Sequence, residues 1–361
     1  MLRRLIVLTA VSLAILPLGI AGQVDISARA ASLRIGGRLQ TQYAVSSIDG
    51  VSNDLFHRRA RLIADATITD FFSGRVQVDF AGGGAELKDG YVQMDFSEQF
   101  VVSVGQFKRA FDLFELASST DLSIIERDGR IEGFPNPGDP AQDACTGVGS
   151  ICSYSRFTEA LGFSDRDQGV RVTGTSGQVS YMASITNGRG ANVADENDAK
   201  SLSGRVTYAV NENVSVSGQV ALHDYVEPSS DDARALAWGG DVEMGTWRDG
   251  LHVQAAVVGG DNWRELGPGA AFEPASFLAA QGVVSYYYPL EDTRFTGIEP
   301  VARLSYGDPD TAAASDGGVL FTPGVMLYIL GRNKIGANFD VYSPQTGDKE
   351  FSFKVQTFLY F

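Results

Sequence analysis

Histidine and cysteine are scarce in this chain: 361 residues contain 3 His and 2 Cys. The histidines are scattered, His57 beside a loop and His223 and His252 on extended segments, so none forms a nucleophile–base–acid constellation. His223 and Asp224 are adjacent, but neighbours on a strand point to opposite faces. Gly82–Gly84 follows an extended segment without the helix or lysine of a phosphate-binding loop, and reads as a turn. There is no basic tail, and a formal net charge of -15 argues against a nucleic-acid partner. Beyond the N-terminus no apolar run approaches the roughly 18 residues that a spanning helix requires. If the mature chain crosses a membrane, it does so with strands.

The N-terminus reads as an export signal. Arg3 and Arg4 precede the apolar run Leu5–Leu16, the run breaks at Pro17, and small residues follow. Residues 1–22 are the expected signal peptide, with cleavage as late as residue 31, and 32–361 the single mature domain. In an exported chain, Cys145 and Cys152 are expected to form a disulfide that pins a short turn.

What the sequence does contain is period-2 alternation, repeated in about sixteen segments from Leu33–Tyr43 to Phe351–Phe361. Short connections such as Ser97–Glu98 and Gly331–Arg332 alternate with longer ones such as Ala44–Leu55 and Gly259–Ala275. Apolar and polar faces on every strand, with short turns on one rim and long loops on the other, predict an all-β transmembrane antiparallel barrel. An even strand count places both termini at the short-turn rim. Tyr286, Tyr288, Tyr306 and Tyr328 are expected in an interfacial aromatic girdle, and outer-membrane lipid is the expected surrounding.

One stretch breaks the beat. From Lys108 to Phe163 the alternation stops, in a segment mixing aromatics with charges of both signs. A connection of that length inside a compact domain is usually functional; it is expected to fold inward and narrow the pore. Its constriction candidates are Lys108, Arg109, Arg127, Arg130 and Arg156, with Glu115, Asp121, Glu126, Asp128 and Glu132 as neutralising neighbours. Alternation also places Arg34, Arg38, Arg59, Arg61 and Arg75 on the water side of the first strands, opposite in face to Arg58. Barrel closure adds Lys334 and Lys354 to the same wall, while Asp89, Tyr91, Gln93 and Asp95 face inward from the next strand. A basic lumen wall of this kind favours small anions. A general diffusion pore and a non-conducting barrel plugged by its loop are the alternatives.

The RRARL strand (Arg58–Leu62), LKDGYV at Leu87–Val92, VGQFK at Val104–Lys108, FELASS at Phe114–Ser119 and the pair Glu126-Arg127 together resemble the phosphate-selective porin O and P family. The terminal Phe361 on an alternating strand is similar to the assembly signal of outer-membrane barrels. The resemblance implies an outer-membrane, homotrimeric, anion-conducting porin, with phosphate as an expected solute and no cofactor. Characterised members narrow the pore with a lysine cluster on the inward loop; here no lysine occurs from Arg109 through Phe163.

Overall fold

The computed structural model describes residues 30–49, 51–127, 129, 152–226, 232–266, 273–292 and 294–361. The expected signal peptide lies outside the described residues, as do Arg130 and Cys145.

Sixteen antiparallel strands, each bonded to its sequence neighbours, close into one barrel. In order they are β1 (Ser32–Ser46), β2 (Asp54–Thr67), β3 (Phe72–Asp79), β4 (Glu86–Ser97), β5 (Phe100–Lys108), β6 (Arg166–Ser176), β7 (Val179–Thr186) and β8 (Ser201–Asn211). They continue with β9 (Val214–Val226), β10 (Asp232–Thr246), β11 (Asp249–Leu266), β12 (Pro274–Pro289), β13 (Gly297–Asp308), β14 (Gly318–Leu330), β15 (Asn333–Pro344) and β16 (Glu350–Tyr360). Two short helices, α1 (Leu113–Leu116) and α2 (Tyr154–Ala160), sit in the β5–β6 connection. The seam is β1 on β16, from Arg38 opposite Tyr360 to Ser46 opposite Ser352. There Gly37 N–H donates to the Phe361 carbonyl at 2.9 Å, and Phe361 N–H donates to the Gly37 carbonyl at 3.2 Å. A Cβ on Gly37 would lie 2.4 Å from the Arg61 carbonyl oxygen, so this close approach of three strands requires glycine.

Alternation predicts the faces well. Leu62, Val76, Val92, Val104, Val220, Trp238, Val257, Leu304, Phe321 and Leu359 all lie exposed on the outside, which is where hydrocarbon solvates apolar side chains. Tyr286 and Tyr288 are outward and touch each other, ring centroids 4.3 Å apart. Tyr328 departs from the girdle expectation: it is fully buried and donates to Glu299 inside the barrel. Counting by twos from outward Phe321 puts Tyr328 on the inner face, and nearness to a strand end does not override that parity. The expected loop Gly259–Ala275 is also shorter than read, because β11 and β12 remain paired up to Leu266 opposite Pro274.

The inner surface has two unlike halves. On β9–β14 the inward residues include a patch of small apolar side chains, Ala221, Ala235, Ala237, Ala256, Val258, Ala279 and Val301. The β5–β6 connection fills this half. Phe111, Phe114, Tyr154, Phe157, Leu161 and Phe163 pack there, with Phe157 stacked on Phe277 at 5.1 Å. The inward fold of the loop thus follows from complementarity: a small-residue wall leaves room for the aromatic payload. The other half, on β1–β7, keeps polar inward residues and, among the described residues, borders a cavity.

Candidate functional site

The loop crosses the lumen as a strap fixed at both sides. On the β13–β15 side, Ser123 Oγ donates to Glu299 at 2.8 Å, and Ile125 N–H to Asn338 at 2.6 Å. Lys334 Nζ donates to the Leu122 carbonyl at 2.5 Å, and Arg303 to the carbonyls of Glu126 and Arg127, both at 2.7 Å. Arg303 is itself paired with Asp340 at 2.8 Å, and Asp340 with Lys354 at 2.5 Å, all three at most 2% exposed. On the opposite side Glu126 takes Arg58 at 2.5 Å and Arg59 at 3.6 Å. Burial alone would raise the Glu126 carboxyl, but the Arg58 and Arg59 charges outweigh it and hold it down at about 2.

These contacts revise several sequence expectations. Lys334 and Lys354 do point inward, but both are 0% exposed: Lys334 sits among Trp247, Tyr328 and Phe358, and Lys354 is spent on Asp340. Neither lines open water. Arg59 is buried beneath the strap, donating to Gln40 at 2.9 Å. Arg58 does not sit on the outer face. A β-bulge pairs Gln40 with Arg59 and Thr41 with His57, leaving Arg58 as the extra residue turned toward Glu126.

Between the strap and β1–β7 lies a cavity of 280 Å³. Five of the expected cations line it: Arg38, Arg61, Arg75, Lys108 and Arg127. Arg61 pairs with Asp79 and Arg75 with Asp65, each at 2.6 Å, while Arg127 reaches Glu115 at 3.6 Å and donates to the carbonyls of Phe114 and Ala117. Among the described residues Arg38 has only neutral partners, Ser119 at 2.5 Å, Gln77 at 3.1 Å and Ser118 at 3.5 Å. Arg34 stands opposite Asp65 on β2, four residues below Arg38, and is exposed at the short-turn end rather than lining the cavity. Lys108 is paired with Glu115 at 3.3 Å. Gly105, at φ 133°, brings β5 close to β4, where a Cβ would lie 2.2 Å from the Gly90 carbonyl oxygen. Arg109 and Arg156 are buried away from the cavity, Arg109 on Asp167.

Two further cations are present that the sequence reading passed over. Arg171 lies between outward Val170 and Val172, so the same alternation that found Arg61 assigns it inward. Arg166, paired with Asp89 at 2.7 Å, precedes the first residue of the alternating run and is missed because the strand begins two residues earlier. Among the described residues, seven cations line the cavity against a single acid, Asp89. Including the acids that pair behind them, Asp65, Asp79, Asp165 and Glu115, leaves an excess of two positive charges. A second cavity, of 480 Å³, adjoins the first through Arg61 on the long-loop side. Arg58 and Lys88 line it, each the extra residue of a β-bulge, in β2 and β4 respectively. Cys152 is disulfide-bonded, and its N–H donates to the Tyr342 hydroxyl at 3.1 Å, which ties the end of the loop to β15.

Solved structures with this architecture are outer-membrane channels and porins. DcaP of Acinetobacter baumannii, described as an outer membrane channel, matches with TM-score 0.58 at 13% identity over 91% of this chain and 97% of its own. OmpF of Salmonella typhi, solved with daunomycin, matches with TM-score 0.60 at 11% identity over 92% and 98%. OmpT of Vibrio cholerae in its trimer form matches with TM-score 0.56 at 11% identity over 91% and 99%. At these identities the likeness shows the fold. Comparison with curated proteins gives no match. The family model described as phosphate-selective porin O and P matches residues 33–238, more than half the chain and the whole basic wall from Arg34 to Arg171. The chain therefore belongs to the phosphate-selective porin O and P family and forms a channel in the bacterial outer membrane.

Proposed function

We propose that the channel passes small anions, phosphate among them, in preference to cations. The observation that carries this reading is the ratio of seven cations to one acid among the described residues around this cavity. Arginine and lysine there replace part of an anion's hydration with charge-assisted hydrogen bonds and repel cations. Phosphate meets Lys108 and six arginines rather than a lysine cluster on the loop, so its advantage over chloride is modest. The test is the reversal potential of the reconstituted channel in a KCl gradient. It is expected on the chloride side, and to weaken as salt approaches 1 M, where the Debye length is about 3 Å. Replacing Arg38 and Arg171 together by Gln is expected to move it toward potassium, because neither cation has an acid to release. A wild-type potential at zero would indicate a general diffusion pore, and one on the potassium side would refute anion preference.

We further propose that the mature chain begins after residue 22, or as late as residue 31, and assembles as a homotrimer. The outer face of β2–β5 supports close association: Ala64, Ala66, Gly74 and Gly90, with Val76, Val92 and Val104, line an apolar groove of 430 Å³. Native mass spectrometry of the outer-membrane protein checks both points. Three copies of a chain lacking the N-terminal segment are expected; a monomer, or a chain retaining Met1, contradicts the corresponding statement.

A further inference from the structure

The wall of this cavity is not uniformly polar. The Arg171 guanidinium carbon lies 4.7 Å from the ring centroid of Phe107 and 5.5 Å from that of Tyr91, and Leu116 from α1 and Met182 from β7 extend the apolar side. A cation–π contact with Phe107 and a side-chain hydrogen bond with Tyr91 hold Arg171 in place. Its Nε is buried without a hydrogen bond, and no acid pairs with it among the described residues. Arg38, likewise held by neutral groups, lines the same cavity.

We infer that this cavity is a binding site for small organic anions with a flat apolar body, of the aromatic-carboxylate class, in preference to inorganic phosphate; the inference rests on the anion reading of the same cavity. A carboxylate meets two guanidinium groups that have no carboxylate partner among the described residues, and its ring covers Leu116 and Met182. Phosphate gains the same charges, yet it must shed water against those apolar groups with no compensating hydrogen bond. At 280 Å³ the cavity is at the small end of ligand sites, suited to one ring.

The test is block of KCl current through the full-length reconstituted channel by benzoate, acetate and inorganic phosphate at pH 7. Burying one face of a ring predicts half-block by benzoate at about tenfold lower concentration than acetate, and below that of phosphate. In Met182→Gln, whose remaining current certifies a folded pore, the benzoate-to-acetate ratio is expected to fall severalfold. Equal block by benzoate and acetate, tighter block by phosphate, or an unchanged ratio in Met182→Gln would overturn the inference while a chloride-side reversal potential leaves the anion reading standing. A potassium-side potential removes both.

Discussion

Replacing Asp340 by Asn is expected to destabilise the barrel by about 3–5 kcal/mol, the usual consequence of leaving a buried charge without its partner. Asp340 stands between Arg303 and Lys354, with Thr322 also donating to it, and none of the four is more than 2% exposed. Asparagine keeps the shape but leaves two buried cations sharing a neutral amide. Because Arg303 also holds the carbonyls of Glu126 and Arg127, the damage reaches the strap as well as the wall. Thermal or urea unfolding in detergent measures it, and an Asp340→Asn variant as stable as wild type would contradict the role assigned to the triad.

Glu126→Gln is the second large effect, of about 3 kcal/mol on the closed position of the strap, since it removes the acid that binds the buried Arg59. Single-channel conductance is expected to rise and become noisier as the strap loses its β2 anchor. The wild-type pH dependence follows from the same contact. Glu126 is depressed to about 2 from an ordinary value near 4.3, so its stabilising contribution is complete above about 4.3 and is lost as pH falls through about 2. Conductance changes due to the strap are therefore expected below about pH 4 and absent between 7 and 5. A Glu126→Gln pore with wild-type conductance and noise would show that Arg303, Asn338 and Lys334 suffice to hold the loop.

The barrel was legible because lipid outside and water inside impose the same two-residue period on every strand, and short turns alternate with long loops. Arg38, Arg61 and Arg75 follow from that period alone. Arg58 does not, because a bulge at Gln40/Thr41 reverses its face, and no local signal marks where a bulge falls. Arg59, Lys334 and Lys354 were assigned the right face but the wrong surroundings. Whether an inward side chain meets water or a loop depends on contacts between residues more than 60 apart, such as Arg58 with Glu126. The clue lay in the inner faces of β9–β14: alanines at positions 221, 235, 237, 256 and 279 mark the half of the lumen that the loop occupies. Arg171 carried as clear a signal as Arg61 and shows that the alternation rule has to be run past the long loop as well as before it.

The central claim is that water and ions pass along β1–β7, with the β9–β14 half filled. Substituted-cysteine accessibility tests it directly, using Ser118→Cys on the open side of the strap and Ala237→Cys beneath it. A negatively charged methanethiosulfonate added to the bilayer chamber is expected to cut the current through Ser118→Cys within minutes and to leave Ala237→Cys unaffected. Rapid modification of Ala237→Cys, or none at Ser118→Cys, would place the water path on the other side of the loop and contradict the account.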